Sequence, residues 1–342
     1  ATVGNKIPLR AVLIIPFVLQ IFGAVAIVGF LSFRNSQEAV SEVVSELRSE
    51  ISDRIEHLLR YYLETPHSIN QNNLLSHRMG LLNFKDQNAL ARQFWQQKQV
   101  FDVNGIYFGN EKGGYVSADP GNRITKTKNF SAGQLLSYNA ANGSLIRDTA
   151  KLVQKDYDSR IRPWYKTSAN TRSSKWSDIY TYSDGGDIAI AATVPVYENN
   201  ELQGVLATDL SLKQINNFLL TIKVGKSGKT FIVERNGKIV GSSTHEKKFF
   251  KSGKEFKRLN ASQSNSPLVR ESINFLKTKF GSLDNIKTTR QLNFDIERKR
   301  QFLQVTTFQD RYGIDWLIVV VIPEADFMTQ INANQRNTIL LC

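Results

Sequence analysis

Cysteine is all but missing. The chain of 342 residues has one, Cys342, so no internal disulfide framework can form. Histidine is nearly as scarce. His57, His67, His77 and His245 are the only four, and none stand two or four residues apart, which removes the spacing of a Cys/His metal site. Catalytic signatures are lacking too: no G-x-S-x-G, H-E-x-x-H or G-x-G-x-x-G occurs. Nothing in the chain offers a nucleophile with its base. No catalytic residues, no metal and no cofactor are therefore expected. Acidic residues are also short, with 31 Asp and Glu against 44 Lys and Arg, a net charge of +13. With 41% hydrophobic and 22% charged residues, the composition is that of a globular protein and excludes a disordered or fibrous chain.

What is present begins with a long apolar run. Residues 11–33 carry no charge over 23 positions, and about 20 apolar residues cross a bilayer core as a helix. A cleaved signal peptide has a shorter apolar region and ends in small residues; this run ends in Phe33-Arg34. It is read as a transmembrane helix preceded by a cytoplasmic segment, residues 1–10, that carries Lys6 and Arg10. Near the other end, residues 338–342 read Thr-Ile-Leu-Leu-Cys, the pattern of a second span beginning. Residues 34–336 are then expected to form one extracytoplasmic loop held to a plasma (inner) membrane at both ends.

Residues 36–62 read as a helix. Val40, Val44, Leu47, Ile51, Ile55, Leu58 and Tyr62 recur every three or four positions, with Glu42, Glu46, Arg48, Glu50 and Asp53 on other faces. The helix is expected to stop near Thr65-Pro66, because the residue before proline is pushed out of the helical region. Its stripe fits either its own domain or a partner helix, and a homodimer is expected. A second helix is read over 86–99. Strand–turn–strand patterns follow at 103–118, 188–210, 230–242 and 300–322, the third turning on Asn236-Gly237. A helix at 268–279 precedes the last of them. A helix-plus-hairpins module thus occurs twice, giving an α+β fold with antiparallel sheets.

Charge is concentrated in the second module, where residues 222–311 hold 20 Lys and Arg against 8 Asp and Glu. Such a face favours anionic headgroups; an extracytoplasmic module has no access to nucleic acid, and none is expected as a partner. The stretch Gly225-Lys226-Ser227-Gly228-Lys229-Thr230 has two residues between its glycines where a phosphate-binding loop needs four, and is read as a turn.

Tyr157-x4-Arg162-Pro163-Trp164-Tyr165 is different. Pro163 suits the first turn of a helix. Arg162 adds a guanidinium fork beside the free N–H groups of a helix start, and the Trp164 indole adds a donor. These make a carboxylate trap, and they equally fit two core aromatics beside a surface arginine. Asp209 ends an apolar strand, and aligning the two modules from Gly204 and Trp316 sets Val321 opposite it. A carboxylate there needs a partner: a ligand ammonium, or local backbone. Trap and anchor together describe recognition of an α-amino acid, with Tyr157, Tyr165 and Tyr180 adding hydroxyls and ring faces.

The chain resembles a double Cache sensor domain, the two-module extracytoplasmic ligand-binding region of bacterial transmembrane receptors, over nearly its whole length. Tyr157-x4-Arg162-x-Trp164-Tyr165 with Gly204-Val205-x3-Asp209 is similar to the family's amino-acid-binding motif. The resemblance implies that Tyr157, Arg162 and Trp164 hold a ligand carboxylate, and that Tyr165 and Asp209 hold its amine. Ser177-Asp178-Ile179-Tyr180 is similar to the next pocket segment, although Ile179 stands where proline commonly precedes the tyrosine and Tyr182 where an acidic residue is frequent. It further implies two PAS-like modules on a stalk helix at 34–64. The membrane-distal, ligand-binding module would be 65–213, the membrane-proximal one 214–325, and the exit helix with the start of the second span 326–342. The output, a kinase, cyclase or chemotaxis transducer, would lie elsewhere. The competing expectation is a membrane-anchored cell-envelope module whose basic region contacts lipid or anionic polymer and takes no small ligand.

Overall fold

The structure is a computed structural model and describes residues 9–181, 188–252 and 255–327. The expected second span therefore lies outside the described residues, as do residues 1–8 and Tyr182.

One helix, α1, runs over Leu9–Arg78, 70 residues. Within it, Ile15–Ser32 has a mean hydropathy of 2.2, is wholly exposed, and is long and apolar enough to cross a membrane. Further on, Val44, Ile51, Ile55, Leu59 and Leu63 form the buried stripe. Leu59 and Leu63 take the positions expected of Leu58 and Tyr62. Arg48, read as an outer-face residue, is buried, and its guanidinium donates to the carbonyl of Leu303 at 2.9 Å.

The expected stop at Pro66 is corrected, since α1 continues for twelve residues beyond it. Proline costs the helix one hydrogen bond, about 3 kcal/mol in an exposed context. Here one face of the following turns is buried: His67, Ile69, Asn70 and Asn73 are almost fully covered, and that packing outweighs the local break.

After α2 (Gln87–Val100), capped by Asp86, come β1 (Gly105–Asn110), β2 (Tyr115–Asp119), β3 (Arg123–Thr127), β4 (Gly133–Ala141), β5 (Ser144–Leu145) and β6 (Lys151–Tyr157). Helix α3 (Pro163–Thr171), β7 (Lys175–Trp176), β8 (Tyr180–Thr181), β9 (Ile188–Glu198) and β10 (Glu201–Ser211) complete a ten-stranded antiparallel sheet. Its spine runs in the order β5-β4-β3-β2-β1-β10-β9-β7. Alternation along the strands gives the sheet two lined faces. Ile106, Phe108, Val116, Ala118 and Leu206 pack on α2 and the end of α1. Tyr107, Ala191, Val205 and Ala207 face α3.

Helix α4 (Leu212–Thr221) leads to a smaller sheet of β11 (Lys229–Glu234), β12 (Ile239–Ser242), β15 (Arg290–Ile296), β16 (Lys299–Gln309) and β17 (Asp315–Pro323). The hairpin β13 (Phe249–Ser252) and β14 (Glu255–Arg258) and helix α5 (Pro267–Phe280) lie between its strands in sequence. The 225–230 segment is indeed a turn. Its Lys226 and Ser227 amides donate to the Asp326 carboxylate at 2.8 Å each, so the anion it holds is a side chain of the same chain.

The two sheets repeat each other. Asp209 in β10 pairs with Gly105, the first residue of β1, as Val321 in β17 pairs with Lys229, the first residue of β11. Between them, the His67 ring of α1 stacks on Tyr312 with centroids 3.5 Å apart and meets Trp176 edge-on at 4.6 Å. The Trp176 indole donates to Asp310 at 2.6 Å.

Candidate ligand-binding site

The register of the large sheet sets out the site in rows. Across β10, β1, β2 and β3, the first row is Asp209, Gly105, Asp119 and Arg123. The second row, two residues along, is Ala207, Tyr107, Ser117, Thr125 and, on β4, Ser137. Side chains in register, and those two apart, share a face, so both rows look toward α3. All of these except Ala207 and Ser117, together with Tyr115, Tyr157, Arg162, Trp164 and Tyr180, line a cavity of about 610 Å³.

The wall opposite the sheet is built by the 157–165 segment. Asp158 caps a short turn at Ser159–Ile161, and Arg162 follows in an extended conformation as the residue before α3, with Pro163 in its first turn. Ser159 ties the segment to the sheet, its hydroxyl donating to the Gly114 carbonyl at 3.0 Å. Gly109 allows the approach: a Cβ there would lie 2.7 Å from both Ser159 and the Trp164 ring. Trp164 then stands edge-on to Tyr107 at 4.8 Å, while Tyr115 sits 5.2 Å from Tyr157. The result is an aromatic box on two sides of the cavity.

The two charges come from different elements, Arg162 from the residue before α3 and Asp209 from β10. Arg162 is half-buried, and among the described residues no side chain or carbonyl accepts from its guanidinium. Asp209 is buried on the sheet side and accepts from Tyr180 at 2.6 Å and from the Tyr107 hydroxyl. Burial, then the Asp209 charge, pushes the Tyr107 phenol well up, and burial does the same to Tyr115, so both remain hydroxyl donors.

Five of the six residues singled out from the sequence, Tyr157, Arg162, Trp164, Tyr180 and Asp209, thus border one space. Tyr165 does not line it. Its ring packs on Trp164 at 5.7 Å in the apolar cluster between α3 and the sheet, and burial and Glu111 push its hydroxyl up to about 12. The sequence reading missed Tyr107, Tyr115, Asp119 and Arg123. Alternation within β1 and β2 puts Tyr107, Tyr115 and Asp119 on the face opposite the core residues Ile106, Phe108, Val116 and Ala118, which is the signal that would have found three of them.

A family model described as the Cache domain matches residues 34–331. The chain belongs to the Cache domain family. The methyl-accepting chemotaxis protein McpA of Pseudomonas putida is 29% identical to it over 158 residues, 45% of this chain and 24% of that protein. TlpB of Bacillus subtilis, also a methyl-accepting chemotaxis protein, is 32% identical over 93 residues, 27% of this chain and 14% of that protein. The Cache chain therefore spans under a quarter of the length of these relatives. Among solved structures, the ligand-binding domain of the Pseudomonas aeruginosa amino acid chemoreceptor PctC in complex with GABA superposes with a TM-score of 0.51 at 18% identity, covering 84% of this chain and all of that one. The ligand-binding domain of the Campylobacter jejuni chemoreceptor Tlp3, in complex with 4-methylisoleucine, gives 0.55 at 12% identity, covering 84% and 93%. At these identities the likeness is one of fold. Among the described residues no group of three His, Cys, Asp or Glu side chains is placed to hold a metal ion.

Proposed function

We propose that this Cache region is the extracytoplasmic sensor of a transmembrane chemotaxis-type receptor, and that its cavity binds an α-amino acid as the zwitterion. One observation carries the reading: Arg162, just before α3, and Asp209, on β10, are of opposite charge and line the same cavity. In this reading Arg162, Trp164 and the Tyr157 hydroxyl take the carboxylate, since a guanidinium fork matches its two oxygens. Asp209 takes the ammonium, with the Tyr107 and Tyr180 hydroxyls fixing the carboxylate's orientation. Tyr165 supports Trp164 from behind. The Mlp24 ligand-binding domain with asparagine, similar in fold, supports the ligand class, and PctC with GABA supports a ligand that carries both an ammonium and a carboxylate.

The apolar part of α1 anchors the region in the plasma membrane, the large sheet forms the membrane-distal module, and the small sheet forms the proximal one. Val43 and Tyr61, large and exposed on α1, are available to a second copy of the helix in a homodimer. Binding that differs between two arrangements of the distal module shifts their populations, and α1 carries the difference. Calorimetry of the chain in lipid nanodiscs against the common L-amino acids is the test; heat-silent titrations throughout would end the reading.

A further inference from the structure

The first row of the site contains a second carboxylate that the zwitterion does not use. Asp119 ends β2 and lies beside Gly105, as Asp209 does on the other edge of β1. Two strand spacings separate the two aspartates, about 9.6 Å between Cα atoms. Gly105 between them has no side chain, and a Cβ placed there would be 3.8 Å from the Tyr107 ring and 3.9 Å from Asp119 Oδ1. The floor between the two carboxylates is therefore low, with the Ala118 carbonyl oxygen 3.6 Å from that Cβ position, and is flanked by an aromatic edge.

Two cations stand near Asp119, each with a hydrogen bond to a backbone carbonyl. Lys98 donates to the carbonyls of Val103 at 2.6 Å and Asn104 at 3.4 Å. Arg123 is exposed at the rim, with Nε donating to the Pro120 carbonyl at 3.1 Å. Among the described residues no ion pair joins Asp119 to either of them. Burial pushes its carboxyl up, while the Thr125 and Ser117 hydroxyls, and then Arg123 and Lys98, act the other way. A recessed carboxylate whose charge is disfavoured by burial gains most from a cation delivered into the cavity.

We propose that Asp119 forms a second cation-binding pole, so that the preferred ligand is an α-amino acid whose side chain ends in an ammonium or guanidinium group. The proposal rests on the amino-acid reading above. The ligand carboxylate lies on Arg162, its α-ammonium on Asp209, its methylenes over Gly105 against Tyr107, and its terminal cation on Asp119 with Thr125 and Ser137 at hand.

The test titrates the full chain in nanodiscs with L-lysine, L-ornithine, L-arginine, L-norleucine and L-glutamine. At least one basic amino acid is expected to bind about tenfold or more tightly than norleucine and glutamine, a preference that matches a net contribution near 1.4 kcal/mol. Asp119→Asn is expected to bring that ligand to within about threefold of norleucine. Norleucine or glutamine binding as tightly as every basic ligand, or Asp119→Asn leaving the preference intact, overturns the second pole and leaves the amino-acid reading standing. No binding by any of the five overturns both. Should the variant fail to fold, the ratio of basic ligand to norleucine in the unaltered chain decides the matter alone.

Discussion

Asn70 of α1 is locked to Thr208 of β10: the Thr208 hydroxyl donates to Asn70 Oδ1 at 2.7 Å, and Asn70 Nδ2 donates onward to the Ala192 carbonyl of β9 at 2.9 Å. Thr208 immediately precedes Asp209, and its side chain takes the opposite face of the sheet. The long helix is thus fastened, through a fully buried amide, to the back of the strand that presents the site's carboxylate. Replacing Asn70 by leucine strands the Thr208 hydroxyl and the Ala192 carbonyl without water. The expected loss is about 2 kcal/mol of unfolding free energy, read from urea midpoints. Ligand-dependent protection of α1 amides in hydrogen exchange should fall as well; unchanged protection would mean that this contact transmits nothing.

Arg162 has no structural employment, being half-exposed and unbound by any described acceptor. Arg162→Ala should therefore leave thermal unfolding within about 0.5 kcal/mol while lowering amino-acid affinity about a hundredfold. Arg162→Lys should recover only part, because an ammonium offers a point charge where the guanidinium offers two parallel donors. Equal affinities for the three proteins in calorimetry would remove Arg162 from the site.

Gly109 is predicted to be intolerant of a single methyl group. The added carbon would lie 2.7 Å from Ser159 and from Trp164, so the 157–165 wall must move outward. Overpacking of this kind costs about 1–3 kcal/mol. Trp164 fluorescence should shift, and ligand affinity should fall more than stability alone explains. An unaltered emission spectrum in Gly109→Ala would contradict the packing described.

His67 makes the fold sensitive to acid. Burial, and then the Arg311 charge, holds its imidazole down at about 3, and among the described residues both ring nitrogens lack hydrogen-bond partners. The unfolded chain takes up this proton near pH 6.5 and the folded one does not. Stability from His67 is therefore complete above pH 6.5 and drains away as pH falls toward about 3. By pH 5 the loss reaches about 2 kcal/mol. His67→Phe, which keeps a ring between Tyr312 and Trp176, should flatten the decline in urea-unfolding free energy between pH 7 and 5; an identical slope in the variant would assign the acid sensitivity elsewhere.

Most of the architecture could be read from the chain, because hairpins announce themselves locally: the 188–210 and 300–322 pairs are where alternation and turn residues put them. The equivalence of Asp209 and Val321 was legible for the same reason. Two kinds of feature were not. Pro66 obeys its local preference only while the following turns are exposed, and their burial is a long-range fact. Asp119 and Tyr107 belong to the site through pairings with β10 and β3, and the register of strands distant in sequence is written nowhere in either strand alone. Arg162, Trp164 and Asp209 were found because their chemistry is conspicuous beside their neighbours; the tyrosine and the aspartate on β1 and β2 look like ordinary strand residues until the sheet aligns them.

Helix α1 has no loop between Ser32 and Asn70, a distance of about 57 Å at 1.5 Å per residue. A loop would absorb a small displacement in its own torsions; a hydrogen-bonded rod hands it on. A shift of β10 by a fraction of an ångström at one end must therefore emerge at the other as translation, tilt or rotation of the whole shaft. The missing rung at Pro66, set against the His67–Tyr312 stack, is a place where it can yield. That joint decides how much of the stroke is spent on bending and how much arrives.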